Sequence, residues 1–217
     1  MSNFSIGKTI RFVLPQKLFE TAANIYRAIF FSVNNFLVLV IQPIHNKSKV
    51  LDVGGGDGAV AIKMSMLEDI KSIDIVDPNS NSGTFLNSKT DKITLHAGRY
   101  LRQIHEIKDE KYDLVLLSDV IHHVPLKFRK DLIQDCLGFI SKDGILVIKE
   151  IEPLGLRSKL AFFADVYISR DPVVKFIKRR DLEDLIFDIR GDLRIERVES
   201  YWAADRPNYA LKIMLEH

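Results

Sequence analysis

Val50-Leu51-Asp52-Val53-Gly54-Gly55-Gly56-Asp57-Gly58 is the stretch from which the rest of the chain is best read. A short apolar strand runs directly into a cluster of glycines, and Ala59 to about Asp69 then reads as a helix. Glycine has no Cβ, so the chain can turn sharply here and a ligand can approach the backbone, at an entropic cost on folding. A plain connector needs no such cluster. The loop lies at the carboxyl end of the first strand, the edge where open α/β sheets bind their ligands. Gly54-x-Gly56-x-x-Ala59 also satisfies a dinucleotide fingerprint, so glycine spacing alone does not choose the cofactor. No Gly-Lys-Ser/Thr closes the loop, and a nucleotide-phosphate loop fits less well.

Downstream, short apolar strands alternate with helices. Ser72 to Val76 is expected as a second strand, ending in the turn Asp77-Pro78-Asn79. A carboxylate at that place suits bidentate bonding to ribose hydroxyls, and the plainer alternative is a turn-forming Asp before proline. Lys92 to His96 reads as a third strand and Tyr112 to Leu117 as a fourth, nearly all apolar, as for a strand buried on both faces. Leu126 to Phe139 reads as a helix that leaves through Lys142-Asp143-Gly144 into a fifth strand, Ile145 to Ile148. This alternation predicts parallel strands joined by right-handed crossovers. Leu156 to Ile168 and Arg180 to Phe187 read as helices. Leu193 to Val198 and Tyr209 to Leu215 then follow as strands with no helix between them and are expected to pair antiparallel at a sheet edge. The expected class is α/β: a doubly wound, Rossmann-like sheet, mostly parallel with a terminal antiparallel hairpin, and helices on both faces.

Upstream, Leu18, Ala22, Ile25, Ile29, Val33, Phe36 and Val40 recur at helical spacing, and Phe36 to Ile41 is apolar nearly all round. Such a helix needs a cover. The apolar run from Ala28 to Ile41 is shorter than the roughly 20 residues of a membrane span. Contact with a membrane surface, or a homodimer through this helix, are the expected uses beside simple burial. Lys8, Arg11, Gln16, Lys17 and Glu20 do not form a secretory leader. The division expected is a helical cap at 1–49 and one domain at 50–217.

The 217 residues carry 31 Lys and Arg against 29 Asp and Glu, a net charge of +2, which argues against wholesale nucleic-acid binding. A single cysteine, Cys136, can form neither an intrachain disulfide nor a metal cluster, and points to a reducing cytoplasm. No metal-ligating set is expected.

Taken together, the D-h-G-x-G-x-G loop at Asp52 to Gly58, the acidic strand end at Asp77, Tyr112-Asp113-Leu114-Val115 running on to Ser118-Asp119-Val120-Ile121-His122-His123-Val124, and the Gly144 turn resemble the core of class I S-adenosylmethionine-dependent methyltransferases. The terminal hairpin also fits that family and weighs against a nicotinamide enzyme. The resemblance implies S-adenosyl-L-methionine as donor and S-adenosyl-L-homocysteine as product. It places Asp52, Gly54, Gly55 and Gly56 at the methionine part of the donor, Asp77 with Pro78 at the ribose, and Ser118 with Asp119 beside the reacting methyl group. The adenine contact departs from the family: where an acidic or amide residue is usual, the chain reads Ala97-Gly98-Arg99-Tyr100, and Arg99 or Tyr100 could stack on the ring.

For the transfer itself, His122 and His123 offer a general base with a pKa near neutrality, against the plainer role of shaping the pocket. Glu150 could orient an acceptor hydroxyl or amine. Lys149 must face the other way if the strand persists, and Glu152 reads as a solvated loop charge. Residues 153–180 resemble a substrate-covering insertion. They bring Phe162, Phe163, Asp165 and Tyr167, and a basic set of Arg157, Lys159, Arg170, Lys175, Lys178, Arg179 and Arg180 that most simply forms a solvated face. No acceptor-specific motif stands out. The function expected is methyl transfer to a hydroxyl, or an amine, of a small molecule. A lipid-like acceptor at a membrane surface and a degenerate cofactor-binding module are the alternatives, with an RNA acceptor disfavoured by the charge.

Overall fold

The structure is a computed structural model, described here at Leu37 and at residues 48–86, 91–153, 174–198 and 208–216. The strands are β1 (Ser48–Val53), β2 (Ile70–Asp77), β3 (Ile93–Ala97), β4 (Tyr112–Ser118), β5 (Ile140–Ile151), β6 (Leu193–Val198) and β7 (Asn208–Leu215). The described helices are α1 (Ala59–Ser65), α2 (Leu126–Gly138) and α3 (Arg179–Phe187). One seven-stranded sheet has the order β3-β2-β1-β4-β5-β7-β6. The first five strands in that order are parallel, and β7 runs antiparallel to both β5 and β6. The expected α/β class and edge hairpin are therefore observed.

The period of two along each strand divides the core into two layers. Leu51, Val53, Val115, Leu117, Leu146 and Ile148 face α2 and α3, where Ile133, Cys136, Leu182 and Ile186 cover them. Val50, Leu114, Leu116, Ile145 and Val147 face the opposite way, onto Ala61 and Met64 of α1. Leu37, from the expected N-terminal cap, is buried on this second face. The last two residues of the expected cap, Ser48 and Lys49, open β1, and, Leu37 aside, its other residues, with the rest of the apolar Ala28–Ile41 stretch, lie outside the described residues.

The largest boundary shifts are at the fifth strand and at the helix after the glycine loop, while the other strand ends differ by up to two residues. Lys142-Asp143-Gly144 is not a separate turn: β5 already starts at Ile140, opposite Tyr112, and the next pairing is Leu114 with Ile145, so the extra residues are taken up as an irregularity within the strand. The helix after the glycine loop stops at Ser65, short of the expected Asp69, because β2 already begins at Ile70. Among the described residues no helix is long and apolar enough to cross a membrane.

Candidate active site

The carboxyl ends of β1, β2, β4 and β5 converge on one edge. Gly54 donates its N–H to Val76 O at 2.7 Å, tying the glycine loop to β2. Its backbone is left-handed (φ +75°), and a Cβ there would lie 2.5 Å from Val120 Cγ2, so only glycine lets the turn after β4 rest on the loop. Gly55 is excluded from carrying a side chain by a different neighbour, since its Cβ would meet Asp52 Oδ2 at 2.8 Å. Asp77 shapes the loop from β2: its Oδ2 accepts the Gly56 N–H at 2.8 Å and its Oδ1 the Asn79 N–H at 2.7 Å. A carboxylate oxygen has a second lone pair, so these bonds leave capacity for a ligand hydroxyl. Pro78 follows, exposed at the strand's end.

Asp52 is the unusual member. Its residue is 2% exposed and its Oδ2 has no hydrogen-bond partner. Burial, then the neighbouring Asp77 and Asp57 carboxylates, push its pKa up to about 7. A buried carboxylate without a donor is costly, and a cationic ligand group would satisfy it. The side chains present therefore fit a donor that carries an ammonium group, a ribose and a need for close backbone approach.

On the β3 side, the Arg99 N–H reaches Asp77 O at 3.2 Å, which keeps this loop beside the Asp77 carboxylate. The Arg99 guanidinium lies 2.8 Å from Glu106 Oε1 and holds that carboxyl below its ordinary range. Gly98 and Tyr100 flank it, both exposed.

The turn after β4 carries the acid–base groups. Ser118 and Asp119 are partly exposed, and Ile121–His123 forms a single 3-10 turn. Glu150 is fully buried (0% exposed). Its Oε1 accepts the Ile121 N–H at 2.7 Å, and its Oε2 lies 2.6 Å from His122 Nδ1. Both oxygens of Glu150, the residue expected to orient the acceptor, face the histidine turn. His122 is buried against the edge of Phe176, with ring centroids 5.1 Å apart, and the half-buried His123 ring stands 4.1 Å from it. Lys149 faces the other way, as strand alternation requires, and its Nζ lies 2.5 Å from both carboxylate oxygens of Asp119. Asp119, His122 and Glu150 bring one ligand atom each within 4.8 Å of one another. The nearby cationic charge is supplied by Lys149.

Three side chains, those of Arg129, Tyr209 and Glu152, make contacts that were not anticipated. Arg129 of α2 is buried and donates from Nε to Val124 O (2.9 Å) and from Nη2 to Lys175 O (2.6 Å), while the Lys175 N–H donates to His122 O (2.9 Å). The only signal in the sequence was a charge at helical spacing from Ile133 and Cys136. Tyr209 donates its hydroxyl to Ile177 O at 3.0 Å, so β7 fastens the same segment. Glu152, expected as a solvated charge, instead accepts the Arg179 N–H at 3.1 Å, at the start of α3. Phe162, Phe163, Asp165, Tyr167, Arg157, Lys159 and Arg170 lie outside the described residues.

Comparison with known proteins bears on this geometry. Residues 25–187 match the family described as "Methyltransferase domain". An S-adenosylmethionine-dependent methyltransferase from Archaeoglobus fulgidus superposes with a TM-score of 0.64 at 18% identity, covering 88% of this chain and 98% of that one. Magnesium protoporphyrin IX methyltransferase from Synechocystis gives 0.60 at 15% identity, covering 85% and 82%. Among curated sequences, a polyamine aminopropyltransferase of Streptococcus uberis is 29% identical over 157 residues, 67% of this chain and 53% of that protein. The chain spans about half the length of the curated relatives it matches. On the family match over most of its length, the chain belongs to the methyltransferase-domain family.

Proposed function

We propose that this chain transfers a methyl group from S-adenosylmethionine to a hydroxyl, or an amine, of a small molecule, with His122 as the base and Glu150 as the group that orients it. The observation that carries this reading is the buried His122–Glu150 pair on the turn beside the glycine loop. When bound, the donor's sulfonium supplies an electrophilic methyl group. Asp52 accepts from its ammonium group, Gly54, Gly55 and Gly56 admit its methionine part, and Asp77 with Pro78 holds its ribose. Gly98 and Arg99 flank its adenine, and Ser118 and Asp119 line the pocket near its methyl.

The acid–base step follows from hydrogen bonding. An ionised Glu150 requires the proton on His122 Nδ1, which makes Nε2 the basic ring nitrogen, the atom that takes a proton from the acceptor in this proposal. The other Glu150 oxygen accepts the Ile121 N–H, which fixes the carboxylate against the turn. His123 shapes the approach to this base. Residues 1–49 and 153–180 are assigned to enclosing the acceptor, the apolar cap either packing in a homodimer or meeting a lipid-like acceptor. The single buried thiol of Cys136 fits a reducing cytoplasm.

The test is transfer of label from methyl-labelled S-adenosylmethionine to a panel of phenols, amines and quinols, the last presented in detergent. A parallel reaction given decarboxylated S-adenosylmethionine, whose third arm is an aminopropyl group, separates methylation from the aminopropyl transfer named for the curated relatives by the mass of the product. We expect a methyl increment on a hydroxyl or amine acceptor, and its loss in His122→Ala by a factor of about 100 or more. An aminopropyl increment would refute the proposal.

A further inference from the structure

Asp119 is the one non-glycine residue with positive φ among the described residues, at φ +59°. An L-residue is disfavoured there, and such a conformation persists where its surroundings over-determine it. The surroundings are Lys149. This lysine is 1% exposed, and its ammonium lies 2.5 Å from both Asp119 oxygens. Its backbone carbonyl accepts the Asp119 N–H at 2.9 Å. Side chain and main chain of one β5 residue therefore hold the same strained residue. The next residue, Val120, lies where a Cβ on Gly54 would stand, 2.5 Å from its Cγ2.

We propose that Lys149 is a positioning residue of the donor site: it locks Asp119 in the left-handed conformation that seats Val120 on Gly54 and so fixes the glycine loop for the donor. This rests on the S-adenosylmethionine reading of the loop. Both Asp119 oxygens meet the lysine, so Asp119 serves the site through its backbone bend. Glu150, on the opposite face of the same strand, holds Ile121 and His122. Consecutive residues of β5 thus set the donor half and the base half of one turn.

The prediction separates this role from mere packing, because glycine adopts positive φ without strain. Calorimetric titration with S-adenosylhomocysteine is made on the intact chain and on the variants K149M and K149M/D119G. The double variant removes both members of the Lys149–Asp119 pair together. We expect K149M to bind at least tenfold more weakly and K149M/D119G to recover to within about threefold of the parent. Unchanged affinity in K149M overturns the proposal. So does a loss that D119G fails to restore while both variants melt as cooperatively as the parent, since Lys149 would then act by charge or packing alone. Absence of binding by the unmodified chain overturns the donor reading itself, and this proposal with it.

Discussion

Asp77 and Asp52 both stand at the glycine loop, yet removal of each has a different consequence. Asp77 already bonds Gly56 and Asn79, so its substitution loosens the loop and removes the ribose acceptor together. Asp77→Ala is expected to weaken S-adenosylhomocysteine binding roughly ten- to a hundredfold, from the loss of charge-assisted bonds of about 1.5–3 kcal/mol each. Equal affinity in parent and variant, read by calorimetry, would take Asp77 out of the site. Glu150→Gln tests the base assignment at the same scale. An amide can present its NH2 to His122 and so favours the other tautomer. Turnover should fall well below the parent's while donor affinity holds, and full turnover would reduce the pair to packing. The sequence announced all of these residues except Lys149 as a partner of Asp119, because a glycine cluster and acidic strand ends leave a local mark. The Glu150–His122 pair joins β5 to the turn after β4, and no spacing rule along the chain reports which carboxylate meets which histidine.

Among the elements, α2 has a job beyond covering the sheet. Its buried Arg129 satisfies the carbonyls of Val124 and Lys175 and so joins the histidine turn to the segment that precedes α3. Burial lowers its pKa, and the Glu150 carboxylate nearby works against that shift. Arg129→Met leaves two carbonyls without their donor at about 1–3 kcal/mol each, so the urea midpoint should drop with little change in slope. An unchanged midpoint would show that water replaces the arginine at no cost. Strand and helix types were legible from periodicity, since β1, β4 and β5 alternate between the two core layers while α2 buries Ile133, Cys136 and Leu137 at helical spacing. Boundaries were less so. The Lys142-Asp143-Gly144 stretch has turn composition, yet pairing with β4 absorbs it into β5, and pairing is a property of the sheet.

For the whole molecule, Asp52 couples stability to pH. Its folded-state pKa, about 7, lies above the ordinary 3.8. The folded state therefore binds the proton more tightly, and stability contributed by this group is lost as pH rises from about 4 to about 7 and stays lost above. The full difference is on the order of 4 kcal/mol. Without donor, Asp52→Asn should melt several degrees higher than the parent at pH 8, and the gap should close toward pH 4. A gap independent of pH in scanning calorimetry would mean that Asp52 is not the group responsible. The same orphaned carboxylate should gain its partner when a cationic donor binds, so the donor should raise the parent's melting temperature more at pH 8 than that of Asp52→Asn. The most direct measurement for the account is calorimetric titration of the intact chain with S-adenosylhomocysteine and, separately, with NADH. Binding of the first and not the second is the predicted result, and binding of NADH alone would contradict the assignment of this glycine loop to a sulfonium donor.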